Sequence, residues 1–395
     1  MSTTLVLSDF EVSETRGFVP DRDPLLHLPS RYKPWEDLAD RIPTLLKNSS
    51  KLRQSVLELP FLDPSHLHGS PELHRATVAL STIAHAYIWC EGDAGAPKSL
   101  PRNIAVPWTR IAAQLGFPPI MTHATSALHN WKRIDPTGPL DASNLAQIHS
   151  ITGTEDERWF FVATTALEVV AAPGVKAVVD AQAAASRSDD HALVESLVIM
   201  TKSLISAKEA LERMYDKCRP DVFYNVLRPY LAGWKGSSVY PRGLVYEGAF
   251  DDDDEPRMFH GASAAESSLL PCFSEALGIS YGTDTAHGLF LREMRSYMPS
   301  CHREFLEVVA RRGNAIRDFV RSEGGDESRR AYNDAIDALV AFRSFHVQIV
   351  TSYILVQSRK SKSVGHESLV ETGTGGTSIM PFLKFARERA LEYKL

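Results

Sequence analysis

From Leu193 the apolar residues recur at Leu197, Met200, Leu204, Ala207, Leu211 and Met214, in alternating steps of four and three. That spacing lays one stripe along a helix of about six turns, at 3.6 residues each, and is incompatible with a strand, whose side chains alternate faces. Asp189 or Asp190 can cap its start, and Pro220 stops it. Another helix opens on Thr154 and Glu157, in capping-box spacing, just before Trp159, Phe160 and Phe161. A third runs from about Tyr332 to Gln357. Strand signals are confined to Ser238-Val239-Tyr240 and Leu244-Val245-Tyr246. The expected fold class is mostly α.

The first 150 residues differ, with many prolines and shorter helical segments. They predict a smaller N-terminal domain, residues 1–153, ahead of a large helical domain, residues 154–395, with the polar stretch Asp135 to Pro139 and the loop Gly153 to Glu157 as candidate joints. Within 395 residues, 44% hydrophobic and 23% charged side chains are enough for a buried core without disulfides. The net charge of −6 gives no electrostatic reason to expect nucleic acid or an anionic membrane as partner. Cys90, Cys218, Cys272 and Cys301 lie too far apart in sequence for a zinc cluster, so reduced thiols and a cytoplasmic location are expected. The N-terminus lacks the basic and apolar regions of a signal peptide. The stretch from Trp159 to Ala172, interrupted by Glu168 and followed by Pro173-Gly174, reads as too short and too polar to span a bilayer.

Two polar segments stand out. The acidic run at residues 251–255 lacks the alternating oxygen ligands of an EF-hand and reads as a solvated loop. Residues 358–378 bear paired glycines, but Thr377 follows Gly376 where a phosphate loop needs lysine. Either a lid or a plain linker fits that composition.

The segment ALVAFRSFHVQIVTSYILVQ, residues 338–357, places Leu339, Arg343, His346, Val350 and Tyr353 on one helix face. That face is apolar except for one imidazole, one guanidinium and a phenol tip. A single histidine there is either a satisfied core residue or a ligand. Haem needs one neutral imidazole, apolar walls and a cation for its propionates, and His346 with Arg343 one turn away supplies two of these. Other metals need further convergent ligands, which the stripe lacks.

The run SFHVQIVTSYI and the later GTGGT resemble the proximal helix and active-site loop of the indoleamine 2,3-dioxygenase family. LPRNIAVP (100–107), NWK (130–132), VLRPYLAGWKG (226–236), GLVYEG (243–248) and RSYMP (295–299) resemble that family's segments too, in the family's order, from about residue 20 to the C-terminus. The resemblance implies a small N-terminal domain on an all-helical domain that encloses haem b, ferrous in the active state, with His346 as the iron ligand and Arg343 at a propionate. It places Phe223 against the substrate indole and Arg228 at the substrate carboxylate, although Arg228 taken alone would also suit a surface ion pair. Phe160 and Phe161 match the distal aromatic pair, with core packing as the alternative. Ser263 and Ala264 match the small-residue turn over the distal haem face, and Thr374 matches the lid position that closes over the substrate ammonium.

The departures are His123, Ser126 and Thr164, where the family often has tyrosine, cysteine and serine lining the substrate pocket, and Ser274, where it often has an aspartate supporting the arginine. His123 either hydrogen-bonds oxygen or an indole substituent, or fills the pocket end. The implied reaction adds both atoms of O2 across the indole C2-C3 bond of L-tryptophan, or of a related indole, to give N-formylkynurenine, the entry to the kynurenine pathway. No side chain is assigned as acid or base. An electron donor is the further partner, and a monomer is expected.

Overall fold

The computed structural model describes residues 5–251, 254–282, 284–360 and 379–395. The acidic pair Asp252-Asp253 and the glycine-bearing segment 361–378, with Thr374, lie outside the described residues.

Four helices dominate the first part of the chain: α1 (Lys33–Leu45), α2 (Ser49–Leu57), α3 (Gly69–Trp89) and α4 (Arg102–Leu115). The expectation of shorter helices there fails at α3, which has 21 residues and buries every one from Leu73 to Trp89. A helix enclosed on all sides has no polar face for periodicity to mark. Two of its polar side chains show how burial is offset: Thr82 donates to the Val78 carbonyl at 2.8 Å, and His85 bonds the Tyr230 carbonyl through Nδ1 at 2.7 Å while Nε2 accepts from Met121 N at 3.0 Å.

The next three helices are α5 (Glu155–Val170), α6 (Ala172–Ser186) and α7 (Asp190–Glu212). Thr154 caps α5, accepting from Glu157 N at 3.2 Å, and three acidic residues in the first turn complement the helix dipole. The Glu157 carboxylate reaches back to Ile151 N and Thr152 N at 2.8 and 2.6 Å, two to three residues before the N-cap N–H that a capping box engages. Thr154→Ala is expected to cost about 1 kcal/mol, read as a shift of the urea unfolding midpoint. Asp189 caps α7 as expected, accepting from Ala192 N. The stripe Leu193, Leu197, Met200, Leu204 and Ala207 is buried, and α7 packs against α5, α6 and α14 (Asp326–Val350).

Between α7 and α14 the chain forms the short helices α8 (Met214–Lys217) and α9 (Pro220–Val222), a π turn at Phe223–Leu227 and a 3-10 turn at Arg228–Leu231. Helices α10 (Leu269–Ala276), α11 (Ala286–Met294), α12 (Ser300–Arg311) and α13 (Ala315–Ser322) follow. α14 starts earlier than expected because its first turns are polar and carry no apolar stripe. A π turn at Thr351–Leu355 leads into α15 (Val356–Lys360), and α16 (Ile379–Leu391) packs on α14.

Strands are minimal among the described residues. β1 (Ser99–Leu100) pairs in parallel with β4 (Val245–Tyr246), and β2 (Lys132–Arg133) pairs antiparallel with β3 (Leu145–Ala146). Ser238–Tyr240, the other strand candidate, is loop. Buried apolar side chains from Leu7 to Ala390, on both sides of residue 153, belong to one contiguous cluster.

By length and composition alone, Glu155–Ser186 and Asp326–Lys360 are apolar and long enough to cross a membrane, against expectation. Pro173 does not end the first stretch because it sits in the first turn of α6, where a missing N–H costs nothing. That stretch is 72% buried as core, and the second turns its apolar face onto an internal cavity.

Candidate active site

The apolar face of α14 is one wall of a cavity of about 310 Å³. Phe342, Arg343, His346, Ile349 and Val350 line it from α14, and Tyr353 and Ile354 from the following π turn. The opposite walls come from α5, the Phe223–Leu231 turns, the loop 262–267, α10 and α16.

His346 has no hydrogen-bond partner among the described residues, and burial pushes its pKa down to about 4, so the imidazole is neutral near pH 7. Arg343, one turn earlier, is buried; it donates to the Ala386 carbonyl at 2.6 Å, to Ser274 Oγ at 2.8 Å and to the Tyr281 hydroxyl. The Ser274 proton is committed to the Leu270 carbonyl at 2.7 Å, and Tyr281 donates to Ser274 at 3.1 Å. Both oxygens therefore present lone pairs to the guanidinium. Neutral hydroxyls thus stand in for a carboxylate, while Glu275 pairs with Arg295 instead.

On α5, Phe160, Thr164, Leu167 and Glu168 face the cavity, at helical spacing from one face. Phe161, one position on, is turned about 100° round a helix of 3.6 residues per turn and packs in the core, edge-on to Phe160 with ring centroids 5.1 Å apart. The Phe223 ring lies 4.7 Å from Phe160 and 5.6 Å, edge-on, from Tyr353. Tyr353 is latched by its hydroxyl, which donates to the Cys218 carbonyl at 2.5 Å. The π turn after α14 thereby fixes the segment that carries Phe223.

Arg228 lines the cavity at 1% exposure, with its guanidinium carbon 5.1 Å from the Tyr224 ring centroid. Burial lowers its pKa to about 10, which still leaves it cationic at neutral pH. Ala262, Ser263, Ala264 and Ala265 form a wall with little bulk. Its backbone is pinned where Gly261 crosses Gly233: a Cβ on Gly261 would meet the Leu231 carbonyl oxygen at 2.2 Å, and one on Gly233 would meet Gly261 N at 2.2 Å. Glycine is required at both positions.

His123 lines the cavity and bonds Glu168 Oε1 through Nε2 at 2.9 Å, while its backbone N–H donates to Glu266 Oε2 at 2.8 Å. Ser126 is buried outside the lining, its hydroxyl donating to the Thr122 carbonyl at 2.8 Å. The cavity thus gathers His123, Phe160, Thr164, Phe223, Arg228, Ser263, Ala264, Arg343 and His346, but neither Phe161 nor Ser126. Glu168, Ser267 and Tyr281 were missed in sequence. Glu168 had a legible mark: an acid at i+8 from Phe160 on an otherwise apolar helix face.

The indoleamine 2,3-dioxygenase family model matches residues 6–393. The chain belongs to the indoleamine 2,3-dioxygenase family. Mouse indoleamine 2,3-dioxygenase 1 is 39% identical over 97% of this chain and 94% of its own length, and mouse indoleamine 2,3-dioxygenase 2 is 38% identical over 99% and 96%. The range of relatives extends to a 6-hydroxytryptophan 2,3-dioxygenase of Fusarium equiseti and a myoglobin of Haliotis diversicolor, each 31% identical over nearly the full length.

The residues present fit the haem that membership of the indoleamine 2,3-dioxygenase family implies. A neutral, unpartnered imidazole faces an apolar cavity, and a buried arginine on the same helix face is available to carboxylates. No cluster of three or more potential metal-ligating side chains occurs among the described residues.

Proposed function

We propose that this protein is a haem-dependent dioxygenase that opens the indole ring of L-tryptophan with O2, giving N-formylkynurenine at the head of tryptophan catabolism in the cytoplasm. The observation that carries the reading is the partnerless His346 imidazole on the wall of the apolar cavity that also holds Phe223 and Arg228. Bound there, haem supplies the activation of dioxygen, a chemistry that no side chain provides.

The remaining roles belong to the chain. Phe160 and Phe223, in contact with each other, form an aromatic wall for a planar indole to lie against, Arg228 takes the carboxylate, and the small wall at Ser263 and Ala264 leaves room beside the reacting carbons. These groups act by orienting the substrate and excluding water, with none needed as acid or base. Arg343 secures a propionate. Arg343→Ala is expected to speed haem loss about tenfold or more, since a charge-assisted hydrogen bond contributes roughly 1.5–3 kcal/mol and 1.4 kcal/mol is a factor of ten. Transfer of haem to a scavenging apoprotein measures this; an unchanged rate places Arg343 away from the propionates.

The test of the function is the absorption spectrum of the purified protein, followed by product mass after incubation with L-tryptophan, a reductant and isotopically labelled dioxygen. Incorporation of both labelled atoms into N-formylkynurenine supports the reading. A haem spectrum without turnover of any indole favours a second one, an oxygen-binding or sensing protein, to which the relative named myoglobin gives weight.

A further inference from the structure

We propose that His123, oriented by Glu168, forms a hydrogen-bond-accepting subsite in the cavity wall that recognises a donor on the substrate ring, so that a ring-hydroxylated tryptophan binds in preference to tryptophan. The proposal rests on the reading of this cavity as an indole site and specifies which indole.

Glu168 is 1% exposed, and its Oε1 gathers two donors, His123 Nε2 at 2.9 Å and Ser267 Oγ at 2.6 Å. A carboxylate only accepts, so Nε2 donates to it, and the tautomer that this bond selects leaves Nδ1 as a lone pair. Nδ1 has no partner among the described residues, although the ring is part of the cavity wall. Glu168 Oε2 is likewise buried without a hydrogen-bond partner. Thr164, one turn before Glu168, commits its hydroxyl proton to the Phe160 carbonyl at 2.8 Å and offers the cavity only oxygen lone pairs. Ser267 has spent its proton on Glu168.

The side chains that line the cavity at this end of α5, His123, Thr164 and Ser267, thus present lone pairs to it. At 1.5 Å rise per residue they begin about 6 Å along α5 from Phe160, within reach of a ring substituent on an indole laid against Phe160 and Phe223. Such a niche is satisfied by a hydroxyl and left with unpaired lone pairs by a bare ring, a difference that gives strong discrimination in a buried site. A methoxy group at the same position brings another acceptor and gains nothing.

The experiment is isothermal titration calorimetry of the purified holoprotein with L-tryptophan, its 5-, 6- and 7-hydroxy derivatives and the matching methoxy derivatives. It compares wild type, His123→Phe and Glu168→Gln. At least one hydroxytryptophan should bind wild type about tenfold more tightly than tryptophan, with no gain for its methoxy counterpart. The preference should vanish in His123→Phe and shrink in Glu168→Gln, which keeps the shape of the side chain but weakens its hold on the ring. The ratio of two affinities in one preparation is insensitive to the fraction of folded protein, so a poorly folding variant still reports. Equal affinities in wild type, a preference that survives His123→Phe, or a methoxy derivative that binds as well as the hydroxy one overturns the subsite while leaving the cavity an indole site. Failure of every indole to bind overturns the subsite together with the reading beneath it.

Discussion

His346→Ala is expected to yield folded protein whose haem occupancy falls to background. The imidazole is the one histidine of α14, and among the described residues the other histidine lining the cavity, His123, is held by Glu168. No substitute ligand stands on that face. Because His346 makes no hydrogen bond to the described residues, the substitution removes a ligand and some packing without breaking a network. The variant should unfold close to the temperature of haem-free wild type. Added free imidazole, small enough for the space left behind, should restore part of the haem spectrum. Absorbance at the haem band after gel filtration is the measurement, and recovery of a normal five-coordinate histidine-ligated spectrum without added imidazole would sink the assignment.

Arg228→Ala carries the second large effect. The guanidinium is buried in the cavity wall and remains charged at neutral pH, so a substrate carboxylate docking there forms an ion pair screened from water. Truncating one partner of such a pair costs roughly 2 to 5 kcal/mol. Tryptophan turnover should collapse while the haem spectrum stays intact. Tryptamine has no carboxylate to lose, so its already poor turnover should change little between wild type and variant. If both substrates suffer equally, Arg228 supports the fold; if neither does, the carboxylate binds elsewhere.

What was legible in the sequence follows the physics of exposure. α7 and α14 each show a polar and an apolar face, so their stripes and the cap Asp189 could be read directly, while α5 was legible from the spacing of Thr154 and Glu157 at its start. α3 could not be read as one long helix, because burial on all sides removes the contrast that periodicity needs. The stripe on α14 gave His346 and Arg343 together, since side chains one turn apart share a face whatever surrounds them. Resemblance carried positions but not directions. Phe160 and Phe161 are adjacent in sequence, yet a helix lets only one of them face the cavity, and Ser126 turns its hydroxyl onto its own backbone. The acceptor niche stayed hidden because it is assembled from three separate stretches, around His123, Glu168 and Ser267, which only the folded chain brings together.

The crossing of Gly233 and Gly261 has a consequence for anyone rebuilding this pocket. With amide groups in mutual contact and no room for a single carbon on either side, the strand of chain after Arg228 and the loop before Ser263 move as one piece. Loop exchange at this crossing is then constrained on both sides: a donor segment for residues 228–236 or 259–265 that lacks its glycine arrives with a backbone clash that no side-chain repacking relieves.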